Sequence, residues 1–320
     1  MKPFNVFPYN SNIDFMRMRV ASLTVAAVLM FASIIAMMTQ GFNFSLDFTG
    51  GVGVELRYAQ KPNVDRVREQ LVAAGFHGAE VQSFGSDHDL LVRLQTDDKK
   101  EGDQNKASSI GDAVARAASL QGNPATKRSS SVISAEVGKD LALNGMYAAL
   151  FVIIGFLLYI SIRFEKKFAI AATIGTLHDV IVCAGWFAIS RHEFDLNVLA
   201  GILSVMGFSI NDTIVVFDRV RENFRSLRLA PTDIMNKSVN QTLSRTVITS
   251  FVAFLTALAL YLFGGDSLRG MAESQMIGIV IGTLSSIFIS CALLTIGGLK
   301  VSKQDLMPKA KDHAELAKRP

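Results

Sequence analysis

The chain predicts a polytopic α-helical membrane protein of six transmembrane helices. A single α+β domain of ferredoxin-like (βαββαβ) type is expected on the periplasmic side, between the first and second helices. Three observations predict this. Half of the 320 residues are hydrophobic and only 19% are charged, with a mean hydropathy of +0.32, a balance too apolar for a soluble domain and too polar for a chain held wholly in lipid. Apolar runs near the length that crosses a bilayer, about 20 residues, recur along the chain. Between the first and second of them, residues 41–140 lose that character and alternate strand and helix patterns.

Residues 1–19 form a cytoplasmic N-terminus that ends in Arg17 and Arg19. The run at 20–40 exceeds the roughly 7–15-residue core of a signal peptide, so it reads as an uncleaved anchor. Its basic flank keeps the N-terminus inside. Within 41–140, GVGVELR at 51–57 alternates as a strand, and Asn63 caps a helix whose apolar positions Val64, Val67 and Leu71 recur at helical spacing, closed by Gly75. Two strands at 79–84 and 89–95 are joined by a turn at Gly85, Ser86 and Asp87. A charged loop at 99–106 precedes a second helix through Ile110, Val114 and Ala117, and 127–133 is the last strand. His77 and His88 lack a second ligand at metal spacing, so this domain is expected to bind or brace rather than catalyse.

The other spans of the membrane domain, 141–300, are read at 141–162, 168–189, 196–217, 247–263 and 276–299. Basic residues sort the loops. Arg163, Lys166 and Lys167 mark one inner loop, Arg219, Arg221, Arg225, Arg228 and Lys237 the next, and Lys300, Lys303, Lys309 and Lys311 an inner tail. The remaining loops hold only Arg191 and Arg269, which puts both termini in the cytoplasm and 41–140 outside. The polar tail, 301–320, is expected to be loosely ordered. Because the Lys and Arg residues cluster at the ends of apolar runs, the net charge of +4 does not point to nucleic acid. Cys183 and Cys291 lie inside apolar runs, which argues against a disulfide framework or metal cluster, and no GxxxxGK[ST] phosphate loop occurs. No cofactor is expected.

The polar residues within the spans carry the functional reading. MGFSINDTIVVFDRVREN, at 206–223, interrupts an apolar run with Asn211 and Asp212. A carboxylate there costs about 2.5–3.5 kcal/mol on insertion scales, so it needs an inward face, a proton or a partner. On a helical wheel Gly201, Ser204, Gly207, Asn211, Asp212 and Arg219 form one small, polar packing face, with Ile202, Ile210 and Phe217 elsewhere. His178 and Asp179, in the middle of the third span, either satisfy each other and pin a helix interface or relay a proton. Arg245, just before the fifth span, is either an interfacial anchor or a counter-charge for Asp212. Gly278 and Gly282 make a GxxxG packing motif in the sixth span. The acids sit in LHDV and INDT, which match neither the YD nor the GxGD motif of intramembrane aspartyl proteases. A mere membrane-anchored scaffold would leave these charges unexplained.

Taken together, IDFMRMR at 13–19, LDFTGG at 46–51, YISIRFEKKFAIAATIGTLHDV at 159–180, GFSINDTIVVFDRVREN at 207–223 and NQTLSRTVITS at 240–250 resemble the SecD/SecF family of protein-export membrane proteins, within the resistance-nodulation-division superfamily. The resemblance implies a non-enzymatic, proton-driven component of the bacterial inner membrane. It implies a partner, SecD, in a twelve-span pseudo-symmetric unit beside the SecY translocon, with YajC and the translocating preprotein as further partners. By the family pattern Asp212 carries the proton and Arg245 is its basic partner, with His178 and Asp179 shaping the same patch. A proton-coupled half-exporter of small molecules from the same superfamily is the alternative. It would be expected to carry larger, duplicated outer domains.

Overall fold

The structure, a computed structural model, describes residues 11–84, 86–94, 104–133, 135–302 and 305. Among them six helices are long and apolar enough to cross a membrane. In chain order the elements are α1 (Arg19–Thr39), β1 (Asn43–Phe44), α2 (Leu46–Thr49), β2 (Gly51–Arg57), α3 (Val64–Ala73), β3 (Glu80–Phe84), β4 (Ser86–Leu94), α4 (Gln104–Ala117) and β5 (Thr126–Ile133). They continue with α5 (Ala135–Arg163), α6 (Lys166–Ser190), β6 (Glu193–Phe194), α7 (Leu196–Ser226), α8 (Pro231–Phe263), α9 (Asp266–Phe288) and α10 (Ser290–Leu293). The spanning helices are α1, α5, α6, α7, α8 and α9.

The sheet domain has one antiparallel sheet in the order β3-β4-β2-β5. Val54, Leu56, Val92 and Leu90 from the strands meet Val67 and Leu71 of α3 and Val114 of α4 in its core. The strand β2 is buried along both faces at its start, where Gly53 lets Ser131 of β5 approach to 3.3 Å of the position a Cβ would take. Asn63 caps α3 by accepting hydrogen bonds from the Asp65 and Arg66 amides, and Gly75 closes it with φ +92°. Asn63→Ala should cost about 1 kcal/mol locally, seen as faster hydrogen exchange at the Asp65 and Arg66 amides with the strands unaffected.

The bundle is built on α6, α7 and α9, which are half buried, whereas α1, α5 and α8 present most of their surface outward. Helices buried on several sides must approach closely, and α7 and α9 do so through glycine. A Cβ at Gly201 would overlap Ser274, and one at Gly278 would overlap Val205. Gly282 has Ser209 Cβ 3.3 Å from the same position. Gly207 meets only Phe156 at 3.9 Å, so it does not close an interface.

Several elements depart from the sequence reading. The strand β4 starts at Ser86, so Ser86 and Asp87 extend the hairpin rather than turn it; Gly85 lies outside the described residues. The helix α4 starts at Gln104, inside the expected charged loop, of which 99–103 also lie outside them. The helices α7 and α8 run well past their apolar cores, to lengths of about 46 and 50 Å at 1.5 Å per residue. Hydropathy sees the lipid-facing stretch alone. The polar remainder is held by Pro231 at the first turn of α8 and by buried Asn223, whose amide donates to Ser238 Oγ and Gln241 Oε1, both at 2.8 Å. The sixth helix breaks after Phe288 and restarts as α10, so 276–299 is not one helix. The start of the tail is docked rather than loose: Val301 is fully buried and Lys167 Nζ binds Asp305 at 2.9 Å and the Lys300 carbonyl at 2.8 Å. Residues 306–320 lie outside the described residues.

The IDFMRMR stretch is fixed by α8. Asn240 exchanges two hydrogen bonds with the Ile13 backbone, and Asn236 accepts from the Met16 amide and donates to Asp14 Oδ1. At the other end of the bundle, β1 pairs in parallel with β6, a contact between segments 150 residues apart that no local pattern announces. Phe42, Phe44, Phe48 and Phe187 pack around Phe194 there or next to it.

Candidate functional site

The polar groups of the bundle fall into two neighbouring clusters. In the first, α6 contributes His178 and Asp179, both buried. Asp179 Oδ1 lies 2.9 Å from His178 Nδ1, and its Oδ2 accepts a hydrogen bond from Ser209 Oγ of α7 at 2.5 Å. The Asp179 carboxylate is therefore satisfied on both oxygens, in a slot that glycine at 282 keeps open: its Cβ position is 3.7 Å from Oδ2. The second ring nitrogen of His178, Nε2, is buried with no hydrogen-bond partner. The ring lines an apolar groove of about 320 Å³ between α1 and α9, beside Val25, Leu29, Val182 and Leu284.

In the second cluster, α7 contributes Asp212, one turn beyond Ser209, at 3% exposure. Ser250 of α8 hydrogen-bonds to it and Arg245 of the same helix acts on it through charge. Antiparallel packing of the two helices sets this pairing, in the register that also puts Asn223 beside Ser238 and Gln241. Ser250 Oγ donates to the Thr246 carbonyl at 2.7 Å and accepts from Thr283 Oγ1 of α9 at 2.7 Å. Ser250 hydrogen-bonds to the Asp212 carboxyl group, but among the described residues no ion pair reaches it, and its Oδ2 is buried and unpartnered. Arg245 is exposed and closes no ion pair there. The two opposite charges interact without closing an ion pair, an arrangement that a proton on Asp212 or a movement of Arg245 would resolve.

Arg245 lies within α8 rather than ahead of it, since that helix begins at Pro231. Counted from the ends nearer the sheet domain, Asp212 lies about 24 Å along α7, Arg245 about 27 Å along α8 and Asp179 about 17 Å along α6. All three depths fall within a hydrocarbon core about 30 Å thick. Asn211 is exposed, as is Ser204, while Ile202, Ile210 and Phe217 are buried. The expected small, polar face is thus not the packing face. Successive residues of a helix point about 100° apart, so the turn that buries Asp212 swings Asn211 outward. Ser209 was not anticipated; its sequence signal is a hydroxyl one turn before the acid.

These features define a multi-pass membrane protein whose central helices hold ionisable groups at bilayer depth and which carries a sheet domain beyond one end of the bundle. Residues 114–299 match the family model described as protein export membrane protein SecD/SecF, C-terminal, and residues 35–62 match the SecD/SecF GG motif. The chain is 41% identical over 302 residues to the protein translocase subunit SecF of Pseudomonas aeruginosa, covering 94% of this chain and 96% of that one. It is 38% identical over 320 residues to that of Vibrio alginolyticus, covering 99% and 100%. It also superposes on the crystal structure of SecDF, a translocon-associated membrane protein from Thermus thermophilus, with a TM-score of 0.75 and 32% identity, over 92% of this chain and 39% of that longer one. The chain belongs to the SecF family of protein translocase subunits.

The GG motif has a local cause in this fold. Gly50 at φ +72° and Gly51 at φ +150° turn the chain from α2 into β2, backbone that side-chain-bearing residues rarely adopt.

Proposed function

We propose that this chain is the SecF-type half of a SecD–SecF unit. It uses the proton-motive force to promote late steps of preprotein translocation and release beside the SecY translocon, with YajC as a further partner. It does so in the bacterial inner membrane as a motor component rather than an enzyme, and without a cofactor. Both termini lie in the cytoplasm and the sheet domain in the periplasm; the basic residues gathered at the far end of the bundle, from Arg163 to Lys237, support that orientation. The antiparallel order β3-β4-β2-β5, with α3 and α4 as the two crossovers, supports a ferredoxin-like class for the domain.

One observation carries the reading: Asp212 is buried in the bundle with Oδ2 unpartnered, and the opposite charge that acts on it, exposed Arg245, closes no ion pair with it. An uncompensated intramembrane acid marks an ion pathway. Protonation removes its attraction for Arg245 and deprotonation restores it, so a proton passing through shifts α7 against α8. One charge crossing the potential releases about 2.3 kcal/mol per 100 mV. His178, Asp179 and Ser209 hold the adjoining stretch of α6 and α7 in register, with His178 at the edge of the groove under α1.

The test uses inner-membrane vesicles with and without this chain, at equal SecD, and follows release of a stalled preprotein with the gradient intact or collapsed by a protonophore. The expected outcome is gradient-stimulated release only where the chain is present. Equal stimulation without it would refute the assignment.

A further inference from the structure

Between the sheet domain and the bundle, one residue of the membrane part collects contacts from two strands of the domain. Glu193, in β6, receives a hydrogen bond from Gln82 Nε2 of β3 at 3.2 Å and an ion pair from Arg93 of β4 at 3.6 Å. The third contact is unusual, being another carboxyl group, that of Glu80 in β3. Glu80 Oε2 and Glu193 Oε1 are both buried without a hydrogen-bond partner, the latter reached only by the Arg93 ion pair at 3.6 Å. Two ionised carboxylates are acceptors only and cannot bond to each other; a single proton turns one into a donor to the other.

We propose that Glu80 and Glu193 share one proton, and that this proton latches the sheet domain to the outer end of the bundle. The surroundings add negative charge: Asp195 at the start of α7 acts on both groups and Asp47 of α2 on Glu80, and Arg93 is the cation set against them. The helix α9, which packs on β3, brings Arg269 and also Glu273, which is held by His192 Nδ1 and Trp186 Nε1 at 2.8 Å. Burial, then the charge of Glu80, pushes the Glu193 carboxyl up to about 8, and burial raises Glu80 as well. The sign follows from proton linkage. The docked pair binds a proton that separated carboxyls, titrating near 4.3, release. Docking is therefore strongest below about pH 4.3 and weakens as pH rises towards about 8, by up to about tenfold per pH unit, levelling off above that. On the orientation proposed above, the latch faces the compartment that the gradient acidifies. It tightens as the gradient builds.

Spin labels report the latch in the full chain in lipid nanodiscs. Cys183 and Cys291 are fully buried, so cysteines introduced at exposed Glu69 on α3 and Ile189 on α6 take the label selectively. The expected distance distribution is narrow at about pH 6 and broad at about pH 9. In Glu193→Gln and in Glu80→Gln, whose amide donates without a proton to lose, it stays narrow throughout. The infrared C=O band of a protonated carboxyl should be present at the lower pH, absent at the higher, and missing from both variants. A wild-type distribution that ignores pH, variants that titrate like wild type, or Ca²⁺ narrowing the wild-type distribution at high pH would each overturn the shared proton. Because the readout is docking rather than export, failure here leaves the Asp212 assignment standing.

Discussion

Asp212→Asn should abolish gradient-stimulated release of preprotein while leaving the chain at normal abundance in the membrane. The variant is close to isosteric, its amide oxygen can still accept from Ser250, and Oδ2 has no partner to lose. Folding therefore has little to lose. Function has much to lose, because an amide neither ionises nor attracts Arg245 as the acid does. At about 2.3 kcal/mol per charge per 100 mV, the ceiling on the lost drive is on the order of 50-fold for one proton, and release should fall to the level seen with a protonophore. Arg245→Gln should reduce the same stimulation, since it removes the charge that makes the two states of Asp212 mechanically different. Vesicles matched for chain and SecD content provide the measurement. A normal gradient response in Asp212→Asn would place coupling at His178 and Asp179, or in the partner chain.

How far the sequence reaches depends on whether a feature is local. The strand β2, the helix α3 with its Asn63 cap and Gly75 exit, and the strand β5 follow from alternation, capping and helical spacing, all read within ten residues. The isolated acid at 212 is equally visible, because charge is rare in an apolar run. The β1–β6 bridge and the Asn236 and Asn240 clamps on the N-terminus join segments far apart, and single residues such as Asn carry no address for a distant backbone. The lengths of α7 and α8 were hidden for a different reason. Hydropathy reports what faces lipid, whereas Asn223, Ser238 and Gln241 stabilise helix beyond it through side-chain hydrogen bonds. The wheel for α7 failed because that helix is central: a helix packed by neighbours on several sides buries Ile202, Ile210 and Phe217 as readily as small residues. Small residues mark where helices touch most closely, not everything that is inside.

That distinction gives the second large effect, a sign reversal between two glycines. In a helix exposed to lipid, Gly→Ala gains up to about 1 kcal/mol from propensity alone. Gly155, on α5, has nothing within 4 Å of the Cβ position, so Gly155→Ala should be neutral or stabilising. At Gly278 the same methyl would overlap both γ-carbons of Val205, which is β-branched and has few rotamers to retreat into. The helices α7 and α9 must then separate, and overpacking of this kind costs about 1–3 kcal/mol for a methyl group, with more expected for Gly278→Leu. The damage spreads to the polar layer, because α7 carries Ser209 and Asp212 while α9 carries Gly282 and Thr283, which meet Asp179 and Ser250. Gly278→Leu should therefore lower the thermal transition in detergent and also suppress gradient-stimulated release, whereas Asp212→Asn suppresses release alone. If Gly278→Ala and Gly155→Ala shift the transition equally, the close approach of α7 and α9 at Gly278 is wrong, and so is the rigid seat it provides for the two acids.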